Sequence, residues 1–278
     1  MVLAGGCASG ITYRVGEGMV GAMSAVAGFA LAGLMAAMGV FKPFIGSLQE
    51  STKITLASGQ NLTLANIFGL PHYVMAIGIA IVAVVLWVAL ARCKKEDEDE
   101  LTFDTGPVTF WQRVFKRGWG WPATGIVIGL IGIVAFPLSA AAGRNYPLGI
   151  TGGYVTLSKT LVTGQNALSW ESMLIIGAIV GAAVAALIAG EFGLRAPKPK
   201  VILQTFAGGF LMASGAVCSS GCNIGHILSG VPQLSLGSIL GGACIVLGAW
   251  FAAYLMFVRP QRVSSQREAE TPTHAHAH

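Results

Sequence analysis

Apolar and polar positions along this chain fall into long blocks rather than the short alternations of a half-buried strand. Residues 19–40 form an apolar block. At about 1.5 Å per residue it is long enough to cross a hydrocarbon core of about 30 Å. Further blocks cover His72–Ala91, Pro122–Gly143, Ser172–Glu191, Val201–Val217 and Leu234–Val258. The fifth is short, and Pro137 predicts a kink in the third. Residues 41–71 are polar, and their LTLANIFGLP run reads as a short interfacial or re-entrant piece. Residues 144–164, RNYPLGITGGYVTLSKTLVTG, are too glycine-rich and polar to span and read as a re-entrant or cavity-lining loop. RCKKEDEDE, from Arg92, is a solvated linker, because so many charges cannot enter lipid.

One region breaks the block pattern from within. Ala213–Gly242, ASGAVCSSGCNIGHILSGVPQLSLGSILGG, lies inside apolar sequence yet is crowded with Gly, Ser, Asn, His and cysteine. An unbroken helix is disfavoured there. Irregular backbone at membrane depth is tolerated only where it is buried in protein or lines a cavity, and its free N–H groups suit an anionic ligand. The rest of the chain is organised around this stretch.

Composition settles the class as an all-α polytopic membrane protein. Hydrophobic residues make up 54%, charged residues 10%, and mean hydropathy is +0.70. A soluble domain carries roughly 25% charge. The net charge of +5 is spread over loops instead of forming a patch, so no nucleic-acid partner is expected. The five cysteines, Cys7, Cys93, Cys218, Cys222 and Cys244, are odd in number and sit mostly in apolar sequence, unlike a disulfide framework.

Basic residues orient the chain. Linker 92–118 holds six Lys and Arg, 195–200 three and the tail 259–278 three, against two each in 41–71 and 143–171. The linker, the Arg195 loop and the C-terminus are therefore expected in the cytoplasm. The spans after Cys7 and after Cys222 then run in opposite directions. Gly6-Cys7-Ala8-Ser9-Gly10 and Gly221-Cys222-Asn223-Ile224-Gly225 share the pattern G-C-x-x-G, and an alternative register sets Cys7 on Cys218. Like motifs ahead of oppositely directed helices predict an inverted-topology repeat, whose short re-entrant half-helices meet near the bilayer midplane. The expected organisation is a first repeat over 1–91, a cytoplasmic linker over 92–118, the remaining spans with the second motif over 119–258, and a disordered tail over 259–278. Only six residues precede Cys7, so the first repeat lacks a leading helix. An N-terminally truncated form or a misplaced start is expected.

GGCASGITYRVGEG, RNYPLGITGG and SGCNIGHILSG, in that order, resemble the YeeE/YedE family of bacterial inner-membrane proteins. The resemblance covers nearly the whole chain. It implies a transporter, not an enzyme, for thiosulfate or a related small anion, with one branch tied to selenium compounds. It also implies cysteines at a central constriction and leaves room for a soluble sulfur-handling partner, while no cofactor or metal is implied.

Cys7 and Cys222 are the leading pathway candidates, with Cys218 selected by the alternative register. Gly6, Gly10, Gly221, Asn223, Gly225 and His226 complete the set. Thiosulfate has a soft terminal sulfur to which a neutral thiol offers a weak S–H donor. Burial is expected to keep that thiol neutral. Arg144 is placed to attract anions at the outer entrance, and Arg14 and Glu17, three apart, are expected to pair. Two other readings stay open. In one, Cys93 beside Lys94 and Lys95 carries a persulfide in a membrane sulfurtransferase. In the other, Cys218, Cys222 and His226, spaced i, i+4, i+8, bind a metal.

Overall fold

The computed structural model describes residues 1–52, 62–93, 119–144, 146–165 and 168–261, with the side chains of 90–93 and of Trp121 outside that description. Apart from two isolated backbone bridges, the regular structure among these residues is helical. The elements are α1 (Ala8–Gly16), α2 (Val20–Met38), α3 (Lys42–Thr52), α4 (Leu64–Phe68), α5 (His72–Cys93), α6 (Trp121–Ala141), α7 (Thr151–Thr163), α8 (Trp170–Ala189) and α9 (Pro199–Cys218). A π-helical segment (Gly225–Gly230) and α10 (Leu236–Ala253) follow, and α10 runs on as a second π-helical piece, Tyr254–Val258. Six of these helices are long and apolar enough to cross a membrane: α2, α5, α6, α8, α9 and α10 with its extension. The protein is a multi-pass membrane protein.

The six spans match the six apolar blocks to within a few residues. The fifth is longer than its apolar core, because Pro199 begins the first turn of α9, where its missing N–H removes no helical bond. α6 continues through Pro137 to Ala141. Residues 151–163 form a 13-residue helix instead of a loop. Much of the linker 92–118 and tail 259–278, with the Lys94 and Lys95 pair, lies outside the described residues, as does the side chain of Cys93.

α2 and α9 form the centre and pack backbone to backbone. A Cβ added at Gly28 would collide with the Phe206 carbonyl oxygen, and one at Gly209 with that of Ala25. Small residues allow this approach, and dispersion between the backbones then holds the pair. α1 lies against α8, and α7 packs between α8 and α2, with Tyr154 meeting Phe29 edge-on at 5.4 Å between ring centroids. Tyr154 also hydrogen-bonds Thr12 of α1 at 2.8 Å. At the opposite extreme, the membrane-length window of α5 buries none of its residues within this chain. Each cysteine turn is followed by a short helix, a backbone bridge and a long helix. Met19 bridges Arg195 in parallel sense, and Ser235 bridges Thr63 in antiparallel sense.

Candidate functional site

Cys222 stands where α9 ends. The chain leaves the helix through Ser220 in the left-handed region (φ 60°), turns at Gly221, and re-enters a helix at Asn223 that becomes π-helical from Gly225. Cys218, Cys222 and His226 therefore do not share one helical face, and among the described residues no cluster suits a metal ion. Cys222 is 4% exposed. It lines two cavities of about 280 and 300 Å³ that also share Ala216 and Gly221. Cys218, half-buried as the last residue of α9, lines neither.

The first cavity is the more polar of the two, and its wall includes Gln49, Arg144, Tyr146, Thr151, Glu171 and Cys222. Gln49 reaches from α3, donating to the Val217 carbonyl at 2.7 Å and to Ser220 Oγ at 3.1 Å, so it holds the cysteine turn. The RNYPLGITGG segment is pinned to the π-helical segment: the Leu148 N–H donates to Ser229 Oγ at 2.9 Å, and the Ser229 hydroxyl donates to the Leu148 carbonyl at 2.6 Å. Trp170 Nε1 donates to the Pro147 carbonyl at 2.7 Å. Two glycine-rich breaks that are remote in sequence thus form one wall.

Arg144 Nη2 pairs with Glu171 Oε1 at 2.7 Å, the only ion pair among the described residues. The guanidinium also lies 5.8 Å from the Tyr146 ring centroid. Burial, with Cys222 and Glu171 nearby, pushes the Tyr146 phenol up to about 12 against the opposing pull of Arg144, so it remains an O–H at neutral pH. The glycines of PLGITGG have a steric purpose. A Cβ at Gly149 or at Gly152 would overlap a Glu171 carboxylate oxygen.

The first motif is built differently. Cys7 caps the N-terminus of α1, its sulfur accepting the Gly10 N–H at 3.4 Å and lying 3.1 Å from Ser9 Oγ. Burial raises this thiol, but the hydrogen bonds its sulfur receives outweigh that and pull Cys7 below its ordinary value, against the expectation that burial alone would govern it. Gly6 has room around it, with its nearest neighbours 3.7 Å from a notional Cβ. His226 is buried with its ring against Gly221 and Gly241 and its Nδ1 3.3 Å from Ser238 Oγ, so it packs behind the turn and lines neither cavity. Arg14 does not pair with Glu17. It folds back onto the Gly5 carbonyl and, with Arg195, lines a third cavity of about 310 Å³.

Glu171, Tyr146, Gln49 and Thr151 were not singled out from sequence. The signal for Glu171 was present, since an acid in an apolar helix is a functional position by default. The apolar block begins at Ser172, two residues into the helix, and so leaves Glu171 just outside it.

The chain is similar to known proteins. The thiosulfate transporter TsuA of Spirochaeta thermophila is 38% identical over 269 residues, covering 93% of this chain and 74% of that protein. TsuA of Escherichia coli is 33% identical over 263 residues, covering 94% and 72%. The probable transporter YedE of Salmonella typhimurium is 36% identical over 84 residues, 30% of this chain and 21% of that protein. A family model described as sulphur transport matches residues 1–251, and the chain belongs to that family, the YeeE/YedE family its three motifs resemble.

Proposed function

We propose that this protein imports thiosulfate across a bacterial inner membrane along a path that passes Cys222 and Cys7. The observation that carries the reading is Cys222 itself, buried yet exposed to two cavities, one of them fronted by Arg144 and Tyr146. An anion is received by a cation and a phenolic O–H, and its soft sulfur then meets a thiol that offers only a weak hydrogen bond. Weak successive contacts let the ion leave as well as enter. Arg14 and Arg195 line the cavity on the side assigned to the cytoplasm. There a soluble sulfur-handling protein would collect the product, and the C-terminus faces the same compartment.

The repeated order of cysteine turn, short helix, bridge and long helix supports an inverted-topology repeat, although the two bridges run in opposite senses. A selenium oxyanion would use the same cation and O–H donors, so competition between the two anions separates these substrates.

The test is uptake of labelled thiosulfate by cells lacking other thiosulfate importers, comparing wild type with Cys222→Ser at matched membrane levels. Wild-type uptake should fall at least about tenfold in the variant, as loss of roughly 1.4 kcal/mol at a required contact predicts. Unchanged uptake removes Cys222 from the path, and uptake of labelled selenite without uptake of thiosulfate changes the substrate.

A further inference from the structure

Glu171 is an unexpected neighbour for a site that receives an anion. It is 2% exposed, Oε1 is bound to Arg144, and Oε2 is buried without a hydrogen-bond partner. The hydroxyl of Thr151, another residue of the same cavity wall, is also buried without one. The titratable groups lining this cavity are Arg144 and Tyr146 from the 144–150 segment, Cys222 from the second motif, and Glu171 from α8. Gly149 and Gly152 flank the carboxylate where α7 begins, so it also sits beside the positive end of that helix.

We propose that Glu171 is a proton-binding site coupled to the anion, taking up one proton for each dianion that enters this cavity. The inference rests on the functional reading above. With the cavity empty, the carboxylate is paired through Oε1 with Arg144 and lies beside the start of α7. A dianion brought into the same low-dielectric space repels that carboxylate and competes with it for Arg144. A proton from water then reaches a carboxylate oxygen through the mouth beside Arg144, whose side chain is 38% exposed. An O–H bond forms on the carboxyl, no electron changes hands, and the guanidinium turns from Glu171 to the anion. Coupling of this kind is reciprocal, so the proton tightens anion binding as much as the anion tightens proton binding.

The sign follows from linkage. The anion raises the Glu171 midpoint, so affinity increases as pH falls through the midpoint of the complex and levels off below that of the free protein. Between the two, one linked proton gives about a tenfold tightening per pH unit.

The experiment is calorimetric titration of the purified full chain with sodium thiosulfate over a range of pH, repeated in two buffers of different ionisation enthalpy. Wild type should take up about one proton per anion within that range, and Glu171→Gln, which mimics the protonated acid, should bind with none and without pH dependence. Infrared difference spectra of wild type serve if the variant fails to fold, because adding thiosulfate at constant pH should produce a carboxylic C=O band. Thiosulfate binding with no proton taken up and no such band overturns the proposal alone. Proton uptake that persists in Glu171→Gln also overturns it. Thiosulfate that does not bind wild type at any pH removes the functional reading and this inference with it.

Discussion

The two G-C-x-x-G turns share five-residue spacing and little else. At the first, the cysteine is half-buried, caps a regular helix and has its sulfur occupied by donors from its own chain. At the second, the cysteine is buried, follows a left-handed serine, precedes a π-helical segment and lines two cavities. The flanking glycines differ in the same way. A Cβ at Gly6 or Gly10 would have ordinary contacts at 3.7 and 3.4 Å, whereas one at Gly221 would press the His226 ring at 3.1 Å and one at Gly225 the Tyr146 hydroxyl at 2.9 Å. One spacing thus serves two purposes: the first turn anchors a helix, and the second shapes a cavity.

The sharpest way to break this contrast is to exchange the last glycine of each motif for alanine. Gly225→Ala should cut thiosulfate uptake about tenfold or more, because Tyr146 must leave its position in the cavity wall, a displacement of the kind that costs about 1–3 kcal/mol. Gly10→Ala should stay within about twofold of wild type, the cost of an ordinary surface change. Equal losses in both variants would mean that the glycines act through backbone freedom and not through the space they leave.

A smaller effect separates capping from transport at Cys7. Cys7→Ala removes the acceptor for the Gly10 N–H and should lower stability by about 1 kcal/mol, read from thermal unfolding in detergent. Cys7→Ser retains an acceptor and should recover most of that loss. If Cys7→Ser unfolds like wild type but transports poorly, the sulfur has a role beyond the cap. If both variants transport normally, the path proposed here loses its second cysteine.

The smallest expected effect tests the left-handed turn. Ser220→Gly and Ser220→Ala both remove the hydroxyl that accepts from Gln49, so their difference isolates the backbone. Glycine should be the more stable by about 1 kcal/mol, since a Cβ is disfavoured at φ 60°. No difference would indicate that the turn relaxes once Gln49 lets go.

The spans were legible because lipid imposes a length and a composition that a single chain displays directly. α8 and α9 were found to within two residues at each end. What the sequence concealed was the purpose of its polar and glycine positions. PLGITGG reads as a loop by helix propensity, yet α7 starts inside it, and the glycines make room for an acid about twenty residues further on. Gln49 looked like part of an ordinary polar loop, and only tertiary contact brings it to Val217 and Ser220. Arg14 had Glu17 one helical turn away, but the Gly5 carbonyl lay closer to the folded-back guanidinium. Spacing along one helix reports local partners, and these residues find theirs across the fold.

The glycine contact between α2 and α9 bears on how such a protein can move. Each helix presents a glycine to a carbonyl of the other, Gly28 to Phe206 and Gly209 to Ala25. Sliding the pair by one residue would set Cβ atoms against the opposing backbone, so these two helices behave as a fixed spine with a single register. On the transport reading proposed above, opening and closing would fall to side chains at the ends of the cavities and to the short segments hung from the spine. A transporter built on such a spine would work as a valve with small moving parts and not as two halves that rock past each other.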